Sequence, residues 1–170
     1  MRQLGQSGVW ELFVPGVEPG VRYKFEIQGA DGRTSLRADP LAFSAELPPD
    51  TDSIVFRSEH TWNDETWLER RAVADPWHEP MSVYEVHLGS WRLNPLEQNR
   101  SLTYEELGDE LAAYAADLGF THVELLPPTE HPYVPSWGYQ VTSYFAPTAR
   151  HGDPDGFRDL VDHLHGRGIG

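Results

Sequence analysis

The chain has 170 residues, enough for one ordinary domain or two small ones, and 39% of them are apolar. Its formal net charge is −14, split −6 over residues 1–80 and −8 over residues 81–170, which argues against binding nucleic acid or an anionic membrane. There is no cysteine, so neither a disulfide framework nor a thiolate zinc site can form. The start MRQLGQSGVW lacks an apolar targeting core, and no later run approaches the ~20 apolar residues of a membrane span, so the cytoplasm is expected. Aromatic residues make up 12%, a level seen in large cores and in proteins that stack sugar rings.

The first third reads as β-structure. Val9–Val14 is a short strand and PGVEPG a turn. In VRYKFEIQ the apolar side chains Val21, Tyr23, Phe25 and Ile27 alternate with polar ones, the pattern of a half-buried antiparallel strand. Ser53–Phe56 is a further candidate. A self-sufficient sandwich needs about seven strands, so residues 1–58 read as the later part of a β-module. Residues 59–80 form a connector with Trp62, Trp67 and Trp77, expected to pack on a neighbouring domain.

From Met81 the pattern becomes β-α-β-α. SVYEVHLGSW is a strand with Tyr84, Val86 and Leu88 on one face and Glu85 and His87 on the other. TYEELGDELAAYAADLG is a helix opened by a Thr103–Glu106 capping box and closed by Gly119, with a stripe of Leu107, Leu111, Tyr114 and Leu118. THVELLP is the second strand. GDPDGFRDLVDHLHGRG is the second helix, with Asp153 as N-cap, Pro154 at its first position, and Phe157, Leu160, Val161 and Leu164 as its stripe. Such alternation builds parallel sheets, and a closed eight-stranded barrel takes roughly 250 residues, so only its beginning fits after residue 80.

Few residue clusters suggest chemistry. His163 and His165 lie on different helix faces. Glu85 with His87, and His122 with Glu124, read as a hydrogen-bonded polar layer rather than a metal site. The carboxylates of DGFRDLVD read as a solvated helix face. No nucleophile elbow or phosphate-cradling loop occurs, and no cofactor or metal is expected. The stretch Pro127–Pro147 remains: a long loop at the end of a parallel strand, with Trp137, Tyr139, Tyr144 and Phe145 among prolines and glycines.

Three stretches, SVYEVHLGSWR, LGFTHVELLPPTEHP and SWGYQVTSYFAPTARHGDPDGFRDLVDHLHGRGIG, resemble the bacterial glycogen (1,4-α-glucan) branching enzymes of the α-amylase family. GVWELFVPGVEPGVRYKFEI, ADPLAF and TWNDETWLERR are similar to the module and connector that precede their barrel. Pro128–Thr129 and Val134–Pro135 depart from the family's usual residues.

The resemblance implies an α/β fold: a partial (β/α)₈ TIM barrel, its first two βα units in residues 81–170, preceded by part of an all-β sandwich carbohydrate-binding module in residues 1–58. It implies an α-1,4-glucan or glycogen substrate and a retaining transfer through paired carboxylates that makes α-1,6 branches. The catalytic carboxylates of the family have no counterpart here, so the chain alone is expected to be inactive. Tyr139 of the WGY word is expected to stack on glucose, with Trp137 and Gln140 on the same substrate-facing loop and the other aromatics anchoring it. A non-catalytic glucan-binding protein, or part of a trehalohydrolase or debranching enzyme, are the alternatives.

Overall fold

The computed structural model describes residues 1–170. Its N-terminal third is a set of small antiparallel sheets. β1 (Arg2–Gln3) pairs with β2 (Trp10–Glu11), and an Arg2–Glu11 ion pair links them. β3 (Arg22–Tyr23), β4 (Phe25–Gln28), β5 (Thr34–Arg37), β6 (Ser44–Ala45) and β7 (Ser53–Ile54) follow. β7 lies between β3 and β6, while β4 forms a separate hairpin with β5.

The strand expected over Val21–Gln28 is therefore broken at Lys24, its two halves serving different sheets. Its apolar face is covered only in the middle: Tyr23 and Phe25 are half-buried, whereas Val21 is 44% exposed and Ile27 48%. Alternation makes a half-buried strand only where a second layer covers one face, and here cover reaches only Tyr23 and Phe25. In residues 1–57 only Ala42, Ala45 and Ser53 are buried.

Polar links hold this region together. The Tyr23 hydroxyl donates to Asp39 Oδ2 at 2.7 Å, and Ser53 Oγ accepts from Asp39 N at 2.9 Å. Arg22 pairs with Glu46 at 2.7 Å and Lys24 with Asp52 at 2.8 Å. Burial and the Asp39 carboxylate both push the Tyr23 phenol above its ordinary pKa.

Beyond α1 (Glu65–Val73) come β8 (Val83–Val86), α2 (Leu88–Trp91), β9 (Leu93–Asn94) and β10 (Arg100–Ser101). Then follow α3 (Tyr104–Asp117), β11 (His122–Leu125), β12 (Thr129–Glu130), β13 (Ser143–Pro147) and α4 (Pro154–Gly166). The expected strand at SVYEVHLGSW ends at Val86. Leu88 keeps its burial as the first residue of α2.

β8 and β11 pair in parallel with Glu85 opposite Glu124. Gly170 continues the pattern on the other side of β11: it accepts from Val123 N and donates to Thr121 O, both at 2.9 Å. Glu85 and Glu124 are exposed rather than bonded into a polar layer. The His122 ring bonds only its neighbour, Nδ1 to Thr121 Oγ1 at 2.8 Å.

α3 begins where the capping box is read. Thr103 Oγ1 accepts from Glu106 N at 3.2 Å, and Glu106 Oε2 accepts from Thr103 N at 2.8 Å. α4 begins the same way, with Asp153 Oδ1 accepting from Gly156 N at 2.8 Å. The two helices bury one face each, on β8 and on one another. Leu107, Leu111, Ala115 and Leu160 are fully enclosed, with Val86, Leu102, Tyr104 and Leu164 beside them. The α3 stripe differs from the pattern at one end: Leu118, at the C-cap, is 57% exposed, and Tyr104 fills the core at the other end.

The connector is fixed to α4 through polar groups. Asp155, Asp159 and Asp162 recur at helical spacing on one face. Asp155 accepts from Ser58 Oγ at 2.6 Å and Glu59 N at 2.8 Å, Asp159 lies 3.0 Å from His60 Nδ1, and Asp162 accepts from Asn63 N at 3.1 Å. Asp64 bonds His165 Nδ1 at 2.7 Å, and Trp67 stacks flat on that imidazole at 3.6 Å. The expected solvated face is thus the one the connector occupies. A carboxylate can satisfy backbone N–H groups of an extended segment that has no ladder of its own. Of the three connector tryptophans only Trp67 makes such a contact; Trp62 is 42% and Trp77 90% exposed.

Candidate functional site

The segment after β11 is not an irregular loop. β12 and β13 pair antiparallel with a register shift between Thr129 and Glu130, making a hairpin whose tip carries a 3₁₀ turn at Val134–Ser136. A buried charge holds its base. Glu130 is 2% exposed and bonds Arg150 Nη1 at 2.7 Å, Ala149 N at 2.7 Å and His131 N at 2.9 Å. Arg150 Nη2 also donates to His131 O at 2.9 Å. A buried carboxylate is tolerated only with such partners.

Next to this anchor, Tyr104 Oη donates to Thr148 O at 2.9 Å, and His151 Nδ1 bonds Leu102 O at 2.9 Å. Burial lowers the His151 pKa, against the opposing effect of the Leu102 carbonyl.

The tip is a tight turn. Val134 O accepts from Trp137 N, and Ser136 O from Tyr139 N, both at 3.0 Å. Trp137 adopts a left-handed backbone, φ 54°, and Gly138 follows at φ 86°. For a bulky residue that conformation costs on the order of 1–3 kcal/mol. Gly138 has no alternative, since a Cβ there would lie 2.2 Å from Pro127 O. The turn therefore seats its backbone on Pro127 and directs its side chains outward. Trp137 is 54% exposed, Tyr139 67%, and Gln140 is exposed as well.

The three sequence-predicted site residues thus share one turn. The other two aromatics do not anchor it: Tyr144 and Phe145 are 66% and 57% exposed. With Phe43, Trp62, Phe157 and Arg158 they line a groove of about 360 Å³. Anchoring falls to Glu130 and Arg150, a pair 20 residues apart that no periodicity links. His87 also stands at the site, its ring stacked on Trp137 with centroids 5.1 Å apart and planes 25° apart. The sequence pattern placed His87 on a polar strand face, and nothing in that pattern pointed to the indole.

Residues 1–42 match the model for carbohydrate-binding module 48, the isoamylase N-terminal domain. Over all 170 residues the chain is 61% identical to the 1,4-alpha-glucan branching enzyme GlgB of Nocardia farcinica, covering 22% of it. It is also 61% identical to that of Frankia casuarinae, covering 20%. Along its whole length the chain is similar to one part of these glycogen branching enzymes.

Further branching enzymes match along the whole chain as well. The one from Myxococcus xanthus is 56% identical and matched by the whole chain. The chain spans about a fifth of the length of these curated relatives. Among solved structures, a putative α-amylase from Salmonella typhimurium superposes on 92% of the chain with a TM-score of 0.71 and 29% identity, over 24% of its own length. The module match accounts for an all-β N-terminal part. No helix of the chain is long and apolar enough to cross a membrane.

Proposed function

We propose that this chain is the part of a branching enzyme that joins its carbohydrate-binding module to its catalytic barrel and supplies one wall of the substrate cleft. Residues 1–58 are the later part of the module, 59–80 the connector, and 81–170 the first two βα units of a (β/α)₈ barrel. The parallel β8–β11 pair, each strand followed by a long helix, supports this division, as does the pairing of Gly170 beside β11. The reaction is cleavage of an α-1,4-glucan and transfer of the segment to a 6-hydroxyl, through a glycosyl–enzyme intermediate. The carboxylates that perform it lie outside these 170 residues, so the chain alone does not branch. The substrate is glycogen or another α-1,4-glucan, and the setting is the cytoplasm.

The wall is the Trp137–Gln140 turn. Tyr139 stacks on a glucose face, Trp137 flanks it, and Gln140 bonds the hydroxyls, a division of labour that follows from the apolar faces and polar rim of a sugar ring. The observation that carries this reading is the exposure of Tyr139 on a turn whose Gly138 packs too closely on Pro127 O to admit a side chain. Titration of the 170-residue chain with maltoheptaose tests it. Tyr139→Ala is expected to weaken binding about tenfold or more, and unchanged affinity would refute the assignment. Incubating the chain with amylose should leave the iodine absorbance unchanged; a shift above a mock purification would refute the claim of inactivity.

A further inference from the structure

Trp137 holds a backbone conformation that bulky residues avoid, and its amide hydrogen bond to Val134 O fixes the turn without fixing the indole. The indole rests on His87, which comes from a different element. His87 is itself held firmly. It is the N-cap of α2, its carbonyl accepts from Ser90 N at 3.1 Å and Trp91 N at 3.0 Å, and its Nδ1 bonds Ser90 Oγ at 2.8 Å. α2 is fastened in turn by buried Leu88 and by Trp91 Nε1 donating to Tyr84 Oη at 3.0 Å. The imidazole is thus a shelf set by the main core. Partial burial and nearby His131 both lower its pKa, which favours the neutral ring.

We infer that His87 is a positioning residue: its ring supports the Trp137 indole and thereby sets the turn that presents Tyr139 to an α-1,4-glucan. The inference rests on the reading of Tyr139 as a sugar platform. It adds to the flanking place of Trp137 the role of a brace, one face of its ring being engaged by His87. The chain of support runs from β8 through His87 and Trp137 to Gly138, which is pressed on Pro127, and ends at Tyr139.

The test uses the ¹⁵N-labelled 170-residue chain and maltoheptaose. The Trp137 indole N–H resonance is assigned by its loss in Trp137→Phe. His87→Leu keeps bulk without a π face; His87→Phe keeps a flat ring without nitrogens. The leucine variant is expected to shift the Trp137 resonance and weaken maltoheptaose binding about fivefold, in line with the worth of one aromatic pair. The phenylalanine variant should hold the resonance near its original position and binding within about twofold, a rescue that a merely structural role does not give.

An unmoved Trp137 resonance in His87→Leu, or equal weakening in both variants, overturns the inference. Amide resonances of α3 confirm folding in each case. Tyr139→Ala separates the two claims. If it binds like the original chain, the platform reading fails, and the Trp137 resonance alone then decides whether His87 sets the turn.

Discussion

Residues 1–57 and residues 81–170 are about the same kind of sequence in composition, yet they are held together by different forces. The first region has seven short strands and three buried residues, and its links are ion pairs and a tyrosine–aspartate hydrogen bond. The second encloses an apolar cluster of 11 residues beneath two capped helices. Exposed ion pairs contribute little, about 0–1 kcal/mol each, whereas a buried leucine contributes roughly 1.5–3 kcal/mol. Backbone pairing alone can shape a region; enclosing side chains is what stabilises it.

The sharpest test of that contrast is Leu111→Ala, which removes a fully enclosed side chain between α3 and its neighbours. It is expected to cost about 3 kcal/mol in denaturant unfolding, and a loss below about 1 kcal/mol would show that the core is loosely packed. Next is Glu130→Gln. An amide cannot accept from Arg150 and Ala149 as the carboxylate does, so a loss of about 2 kcal/mol is expected in the same measurement. If melting is unchanged, the hairpin base has another anchor.

Acid should act on the second region first. The pKa of His151 is lowered by burial, and that of His87 by burial and His131. The unfolded chain thus binds more protons than the folded one. Their contribution is complete above about pH 6.5, the usual histidine value, and is lost as pH falls through the lower folded values. Glu106, held down to about 2 by Arg100 and the Thr103 amide, adds a loss of the same sign between its ordinary range and about pH 2. The melting temperature is therefore expected to fall steadily from pH 7.5 to pH 4, and a flat profile would contradict this. The smallest effect is expected from Ile27→Ala in β4, where a 48% exposed side chain covers no core, at under about 0.5 kcal/mol. A larger loss would mean that the β region has an apolar interior after all.

The same contrast explains which features were legible in the sequence. α3 and α4 were readable to the capping atom, because Thr103, Glu106, Asp153 and Pro154 act on the backbone beside them. The alternating strand at Val21–Gln28 holds only in part, broken at Lys24 and half-buried at Tyr23 and Phe25, because its period is local while its covering layer is not. The Trp137–Gln140 turn was legible as a word shared with a family. Its supports were not, since Glu130–Arg150 and His87–Trp137 are contacts across the chain that no spacing rule encodes.

The carboxylates of α4 have a consequence for how this chain can vary. At Glu59 and Asn63 the connector is gripped by its backbone N–H, with Asp155 and Asp162 as the acceptors. Any residue except proline offers that donor, so substitution at Glu59 is close to free, and Asn63 gives up only its two longer amide contacts, to Thr61 O and Asp162. The aspartates have less latitude, because truncating either one to alanine removes the oxygen that accepts from a connector N–H. Variation across related chains should therefore accumulate on the connector side of this seam while the acidic side stays fixed.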